Sequence, residues 1–295
     1  MLEEFKNAFH RYNNGHVQLI IINVVVFLFL ALIHVLSTVS GFENAASLII
    51  NQFVIPPTFS EYITRPWTLL TYAFAHDLGD IFHILFNMLV FYWFGRLFIE
   101  YLGSDKLIAT YILGALAGGI IYLLVFNLVP YFVERSGFSG MVGASAAVYA
   151  VVVAIATLLP DYTMFLLFLG PVRIKYIAAF YIVVSFLGTV GSNAGGNIAH
   201  LGGALMGFIY TKQLQAGVNW GGWITITLQW FKNLFKPRPR VKVTYRSDRQ
   251  EQKKAGGKSN ISQAELDAIL DKISDGGYES LTKDEKEKLF NASKK

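Results

Sequence analysis

The chain has 295 residues, is 54% apolar and only 15% charged, carries a formal net charge of +5 and has a mean hydropathy of +0.44. Soluble domains carry roughly 25% charge, so a purely soluble enzyme is excluded. The chain also lacks cysteine, which rules out disulfides, thiolate metal sites and a cysteine nucleophile. Of 25 Lys and Arg, 17 follow position 210, the pattern of a polytopic membrane core with a basic soluble tail.

Residues 1–16 are polar, with Glu3 and Glu4 ahead of Lys6 and Arg11. The apolar run 17–36 is too long for a signal-peptide core and reads as a first spanning helix, matched to about 30 Å of hydrocarbon. His34, near its end, reads as an interfacial polar residue. Residues 37–66 form a long connection with apolar patches at 48–50 and 53–55, broken at Pro56 and Pro57. It is expected on or partly in the outer leaflet, with Trp67 and Tyr72 in the aromatic belt.

A second span, 81–99, carries His83, Asn87 and Arg96, groups that lipid does not tolerate facing outward. The third, 107–126, has Gly114 and Gly118 four apart, a close-packing face. The fourth, 142–159, opens near Ser145 and ends at Pro160 and Asp161. Residues 161–175 are expected as an interfacial loop. A short fifth span, 176–190, a Gly-rich turn, 191–197, and a sixth span, 198–214, complete the core.

Six spans put both termini on one side. Lys6, Arg11, Arg96, Lys106, Arg173 and Lys175 fall on that side, against Arg65 and Arg135 opposite, so the positive-inside rule makes it cytoplasmic. Ser145, His200 and His83 then open their helices from the outer side, at one depth. Residues 215–236, with Trp220, Trp223 and Trp230, read as an amphipathic segment on the cytoplasmic face. Residues 237–260 read as a basic flexible linker, suited to anionic lipid rather than nucleic acid. In 261–295, Ser262-x-x-Glu265 and Thr282-x-x-Glu285 are capping boxes opening two short helices. Helices this short are marginal alone. They are expected to dock on the membrane face, another subunit or a cytoplasmic partner.

The chemistry concentrates in three pieces. His83 and Asn87 are four apart and share a helix face, as do Ser145 and Tyr149. On the sixth span His200, Gly203 and Gly207 form a stripe, and the glycines allow backbone contact with a facing helix. If that helix is the fourth, His200 is carried to Ser145. Serine needs a base to take its proton during attack, and His200 can supply it and later protonate the leaving amine. The Ser145 N–H, His83 and Asn87 are candidate oxyanion donors. No acidic residue lies near this depth in the sixth span or its flanking loop, so the pattern predicts a dyad, with Tyr149 stacking on the imidazole in place of an orienting acid. A histidine base must be neutral, so activity should rise as His200 loses its proton. No cofactor and no metal site is expected.

His83-x-x-x-Asn87, Gly143-Ala-Ser145-x-x-x-Tyr149 and Ala199-His200-x-x-Gly203-x-x-x-Gly207 together resemble the rhomboid family of intramembrane serine proteases, in order and spacing, over roughly 15–215. Glu100-x-x-Gly103-Ser104 is similar to the family's turn after the second span. Trp67-Thr68 departs from the family's Trp-Arg pair in the first loop. The 262–293 module is similar to extensions on some bacterial members. The resemblance implies an all-α fold with a six-helix transmembrane core. It also implies cleavage of single-span membrane proteins near their outer ends, a Ser145–His200 dyad and oxyanion roles for His83 and Asn87. A bacterial inner membrane is the expected location. Two rival readings are an inactive relative that binds membrane clients, which would lack the Ser or the His, and a small transporter, which would carry charges at mid-membrane.

Overall fold

The computed structural model describes residues 13–134, 140–166, 170–234 and 262–293. Lys6, Arg11, Arg135 and the linker 237–260 lie outside the described residues. The chain divides into two compact units, Met1–Lys236 and Pro237–Lys295.

Helix α1, Gly15–Ser40, ends at Gly41, whose left-handed φ of 74° lets its N–H bond to Ser37 O. Its buried residues, Gly15, Leu19, Asn23, Phe27 and Leu30, recur every three or four positions and form one stripe. Val25, Leu28, Phe29 and Leu32 are exposed, as expected of a face turned to lipid.

The connection 37–66 is more ordered than its composition suggests. It contains α2, Glu43–Ile50, and α3, Phe59–Thr64, the latter capped by Thr58. Asn127 ties it down, donating to Pro57 O at 2.9 Å and accepting from Phe59 N at 2.9 Å. Arg65 donates to Asn51 O at 2.8 Å. Thr68, which stands where the family pattern has arginine, is buried and donates to Arg65 O at 2.6 Å. The loop therefore closes without that arginine.

A short helix α4, Thr68–Thr71, leads to α5, Ile81–Leu102, capped by Asp80. Next come α6, Ser104–Leu128, and α7, Pro130–Val133. Helix α8, Ser145–Leu158, forms the centre: from Ala146 to Ala156 every residue but Tyr149 is buried. The expected interfacial loop 161–175 instead holds an antiparallel hairpin, β1 Thr163–Leu166 and β2 Gly170–Arg173, in register Thr163↔Arg173. This is the departure from an all-helical chain. Asp161 beside it accepts from Lys175 at 2.6 Å and Arg173 at 3.3 Å, and the Lys175 bond holds its carboxyl below the usual range. Helix α9, Ile174–Leu187, passes through a 3₁₀ turn, Gly188–Val190, to α10, Ala194–Gln215. Part of the expected Gly-rich turn, 194–197, is thus already helical.

Helices occupy all six expected positions, but the span count is narrower. Among the described residues three helices, α1, α5 and α6, are long and apolar enough to cross a membrane. Helices α8 and α9 are apolar but have 14 residues each, about 21 Å at 1.5 Å per residue. Helix α10 has the length, but Gly195, Gly196, Asn197 and His200 dilute its apolar character.

Small residues bring α6, α8 and α10 into backbone contact. A Cβ on Gly118 of α6 would lie 2.7 Å from Ala146 Cβ and 2.8 Å from Ala199 O. Gly203 and Gly207 of α10 in turn abut the carbonyls of Ala146 and Ala150, where a Cβ would collide. Two tyrosines pin the chain ahead of α5. Tyr72 Oη donates to Ala115 O at 2.7 Å, and Tyr111 Oη to Ala73 O at 2.6 Å. Asn23 of α1, fully buried, donates to Leu19 O at 2.8 Å and to Tyr111 Oη at 3.0 Å.

Helix α11, Gly222–Leu234, rests Ile224 against Ala109 and Tyr210. Its Trp223, Ile226 and Trp230 are exposed.

The second unit contains α12, Gln263–Gly276, and α13, Lys283–Ala292, each opened by a complete capping box, from Ser262 and Thr282. Ile269 and Leu281 are buried. Ion pairs Lys272–Glu285 at 2.9 Å and Lys288–Glu265 at 3.7 Å join the two helices.

Candidate active site

Ser145 is the first residue of α8. The residue before it, Ala144, makes no side-chain cap, so the first N–H groups of α8 point outward at the positive end of a helix. The approach to this end is fixed by Gly143, whose N–H bonds to Tyr72 O at 3.0 Å. Its φ of +134° is a conformation only glycine adopts readily. A Cβ there would sit 3.0 Å from the His83 ring.

The stripe on α10 does what its spacing predicts. With Gly203 and Gly207 seated on α8, His200 Nε2 comes to 2.6 Å from Ser145 Oγ. The Tyr149 ring, one turn beyond Ser145, stacks on the imidazole with centroids 4.2 Å apart and planes 13° from parallel.

His83, in the first turn of α5, lies edge-on to His76, with centroids 5.2 Å apart. Asn87 donates to His83 O at 2.9 Å. That uses one of its two amide hydrogens. His83, Asn87, Ser145, Tyr149 and His200 all line one cavity of about 1150 Å³. Phe82 and Phe86 of α5 and Tyr122 and Phe126 of α6 supply apolar wall, and Asp77 and Asp80 contribute acidic groups. The residues singled out in the sequence are thus brought together: His83, Asn87, Ser145, Tyr149 and His200 around the cavity, Gly143 against the His83 ring, and Gly203 and Gly207 against α8.

Two residues that sequence reasoning passed over belong to the same cluster. Ser185 of α9 is fully buried; its Oγ lies 3.1 Å from His200 Nδ1 and donates to Tyr149 Oη at 2.9 Å. It is the one hydroxyl residue besides tyrosine in 174–187, which is the signal that could have marked it. His76 is buried under His83 with both ring nitrogens unpartnered among the described residues.

This arrangement offers a hydroxyl, a hydrogen-bonded imidazole and a set of N–H donors in one cavity with both apolar and polar groups in its wall. Residues 64–216, more than half of the chain, match the family model described as the Rhomboid domain.

The chain belongs to the rhomboid family.

Among similar proteins, the RHOMBOID-like protein 12, mitochondrial, of Arabidopsis thaliana is 33% identical over 162 residues, 52% of this chain and 48% of that protein. Rhomboid protein 1, mitochondrial, of Saccharomyces cerevisiae is 29% identical over 167 residues, 54% of this chain and 44% of that protein. The human presenilin-associated rhomboid-like protein, mitochondrial, is 29% identical over 157 residues, 51% and 38% respectively. The chain therefore spans about half or less of the length of these rhomboid relatives. All three carry a mitochondrial designation, and the expectation of a bacterial inner membrane finds no support among them; what stands is an integral membrane protein. Residues 257–295 match a separate family described as one of unknown function (DUF6576).

Proposed function

We propose that this rhomboid is an intramembrane serine endopeptidase that cleaves single-span membrane proteins with Ser145 as nucleophile and His200 as base. The observation that carries the reading is the 2.6 Å contact between Ser145 Oγ and His200 Nε2 on the wall of the cavity.

The steps follow from the contacts. Ser145 Oγ attacks the scissile carbonyl carbon while its proton passes to His200 Nε2. Charge then builds on the carbonyl oxygen, at the open N-terminus of α8. The Ser145 N–H, the His83 ring and the Asn87 amide are the donors for that oxyanion, in an environment of low dielectric where such bonds are strongest. As the C–N bond breaks, the imidazolium gives its proton to the leaving amine. A water, deprotonated by the same imidazole, then hydrolyses the acyl-enzyme and restores the serine.

In this reading α1, α5, α6, α8, α9 and α10 are six membrane crossings, with termini cytoplasmic. The shortness of α8 is no obstacle, because a helix enclosed by others need not match the lipid thickness. It starts below the surface and so sets Ser145 within the membrane, near the outer end of a substrate helix. The substrates and the lipid bilayer are the proposed partners.

The test is cleavage of a fluorogenic transmembrane peptide by the purified chain in detergent. Wild type should cut it, and Ser145→Ala and His200→Ala should each lose at least about 10³-fold in kcat. Cutting retained by Ser145→Ala would assign the nucleophile elsewhere.

A further inference from the structure

As a base toward Ser145 Oγ, 2.6 Å away, His200 must keep Nε2 bare, and a neutral imidazole then carries its one ring hydrogen on Nδ1. Ser185 Oγ, 3.1 Å from Nδ1, is placed to accept that hydrogen. Ser185 has one hydrogen of its own and two acceptor positions, and Tyr149 Oη at 2.9 Å takes the hydrogen. We infer that Ser185 is a positioning residue that holds His200 in the one neutral tautomer able to take the Ser145 proton.

The hydroxyl does the work that a carboxylate would do at lower cost in the membrane. A buried carboxylate needs a compensating charge or several donors, whereas a serine offers lone pairs without charge. Serines inside apolar helices commonly bond back to their own helix. Among the described bonds Ser185 instead reaches out of α9, to Tyr149 on α8 and His200 on α10. The contact gains importance once the proton has moved. An imidazolium has N–H on both nitrogens, and the Nδ1–H of His200 has the oxygen of the fully buried Ser185 to donate to. Tyr149 closes the set by accepting from Ser185 while stacking on the ring it orients. One linear order of donors results: Ser145 to His200, His200 to Ser185, Ser185 to Tyr149.

The inference rests on the hydrolase reading above, whereas the tautomer can be read without any activity. The test therefore has two arms, both on the full chain in detergent. In the kinetic arm, Ser185→Ala and Ser185→Cys are compared with wild type, cysteine keeping the volume but being a weak acceptor. Both should lower kcat roughly 10- to 100-fold, short of the 10²–10⁴ attributed to a general base itself, with KM changed less than about twofold. The rate at which a fluorophosphonate acylates Ser145 should fall by the same factor. In the spectroscopic arm, ¹⁵N NMR of labelled histidine, with His200→Ala to assign the resonance, should show hydrogen on Nδ1 of His200 in wild type and a shift toward the other tautomer in both variants. Wild-type kcat in Ser185→Cys beside a slow Ser185→Ala would reduce Ser185 to packing and overturn the inference. So would an unchanged tautomer in both variants. If wild type neither cuts nor takes up the probe, the hydrolase reading fails, and the spectra alone decide the role of Ser185.

Discussion

At the scale of single residues, two groups of buried polar side chains in this rhomboid act in sets. Ser145, His200, Ser185 and Tyr149 satisfy one another in a row, and Asn23, Tyr111 and Ala73 form a second row. An isolated polar atom in such a place costs free energy comparable to a lost hydrogen bond. Ionised groups show the same economy in the second compact unit. Glu285 accepts from Lys272, and from the backbone and side chain of Thr282, and these bonds, Lys272 foremost, pull its carboxyl down to about 2. A carboxyl depressed in the folded state adds stability above the ordinary glutamate range, and that contribution disappears as pH falls toward 2. Titrating the Glu285 side-chain carbonyl by ¹³C NMR should give a midpoint well under that of an exposed glutamate, and Lys272→Ala should raise it. An ordinary midpoint in the wild type would mean that the cap is open in solution.

At the scale of elements, the helix pair α8–α10 carries the geometry. Gly203 and Gly207 lie so close to the Ala146 and Ala150 carbonyls that any side chain must push the helices apart. Gly203→Ala should cost about 1–3 kcal/mol as an overpacked contact. It should also lengthen the Ser145–His200 contact, so that kcat falls about tenfold or more. A thermal melt and the fluorophosphonate rate read the two effects separately, and wild-type values in both would break the link between this packing and the site. This contact was legible in the sequence because glycine spaced four apart is a physical instruction for close approach. The stacking of Tyr149 was legible for the same reason, through its four-residue offset from Ser145. Ser185 was not, since one hydroxyl in an apolar helix is ordinarily a packing detail and its partners lie 15 and 36 positions away. Nor was the hairpin of β1 and β2. Gly170 and Pro171 read as a break, and the antiparallel pairing that uses them depends on residues on both sides finding each other. The order within 37–66 depends on Asn127, 70 positions from the Pro57 it binds, a distance over which no local pattern speaks.

At the scale of the whole molecule, every residue assigned to the site belongs to the unit Met1–Lys236. Removing 237–295 should therefore leave cleavage of a peptide in detergent within about twofold of wild type. Loss of activity in a shortened chain that melts normally would give the tail a part in the chemistry. The other end of the molecule behaves differently. The family match begins at residue 64, which leaves α1 outside it, yet Asn23 of α1 reaches Tyr111, and Tyr111 holds the chain at Ala73, three residues before the histidine that lies under His83. A fragment cut at the edge of the matched sequence would pull a strut from beneath the cavity that holds Ser145 and His200. The match to the family model starts at residue 64; mechanical support for the cavity begins some forty positions earlier.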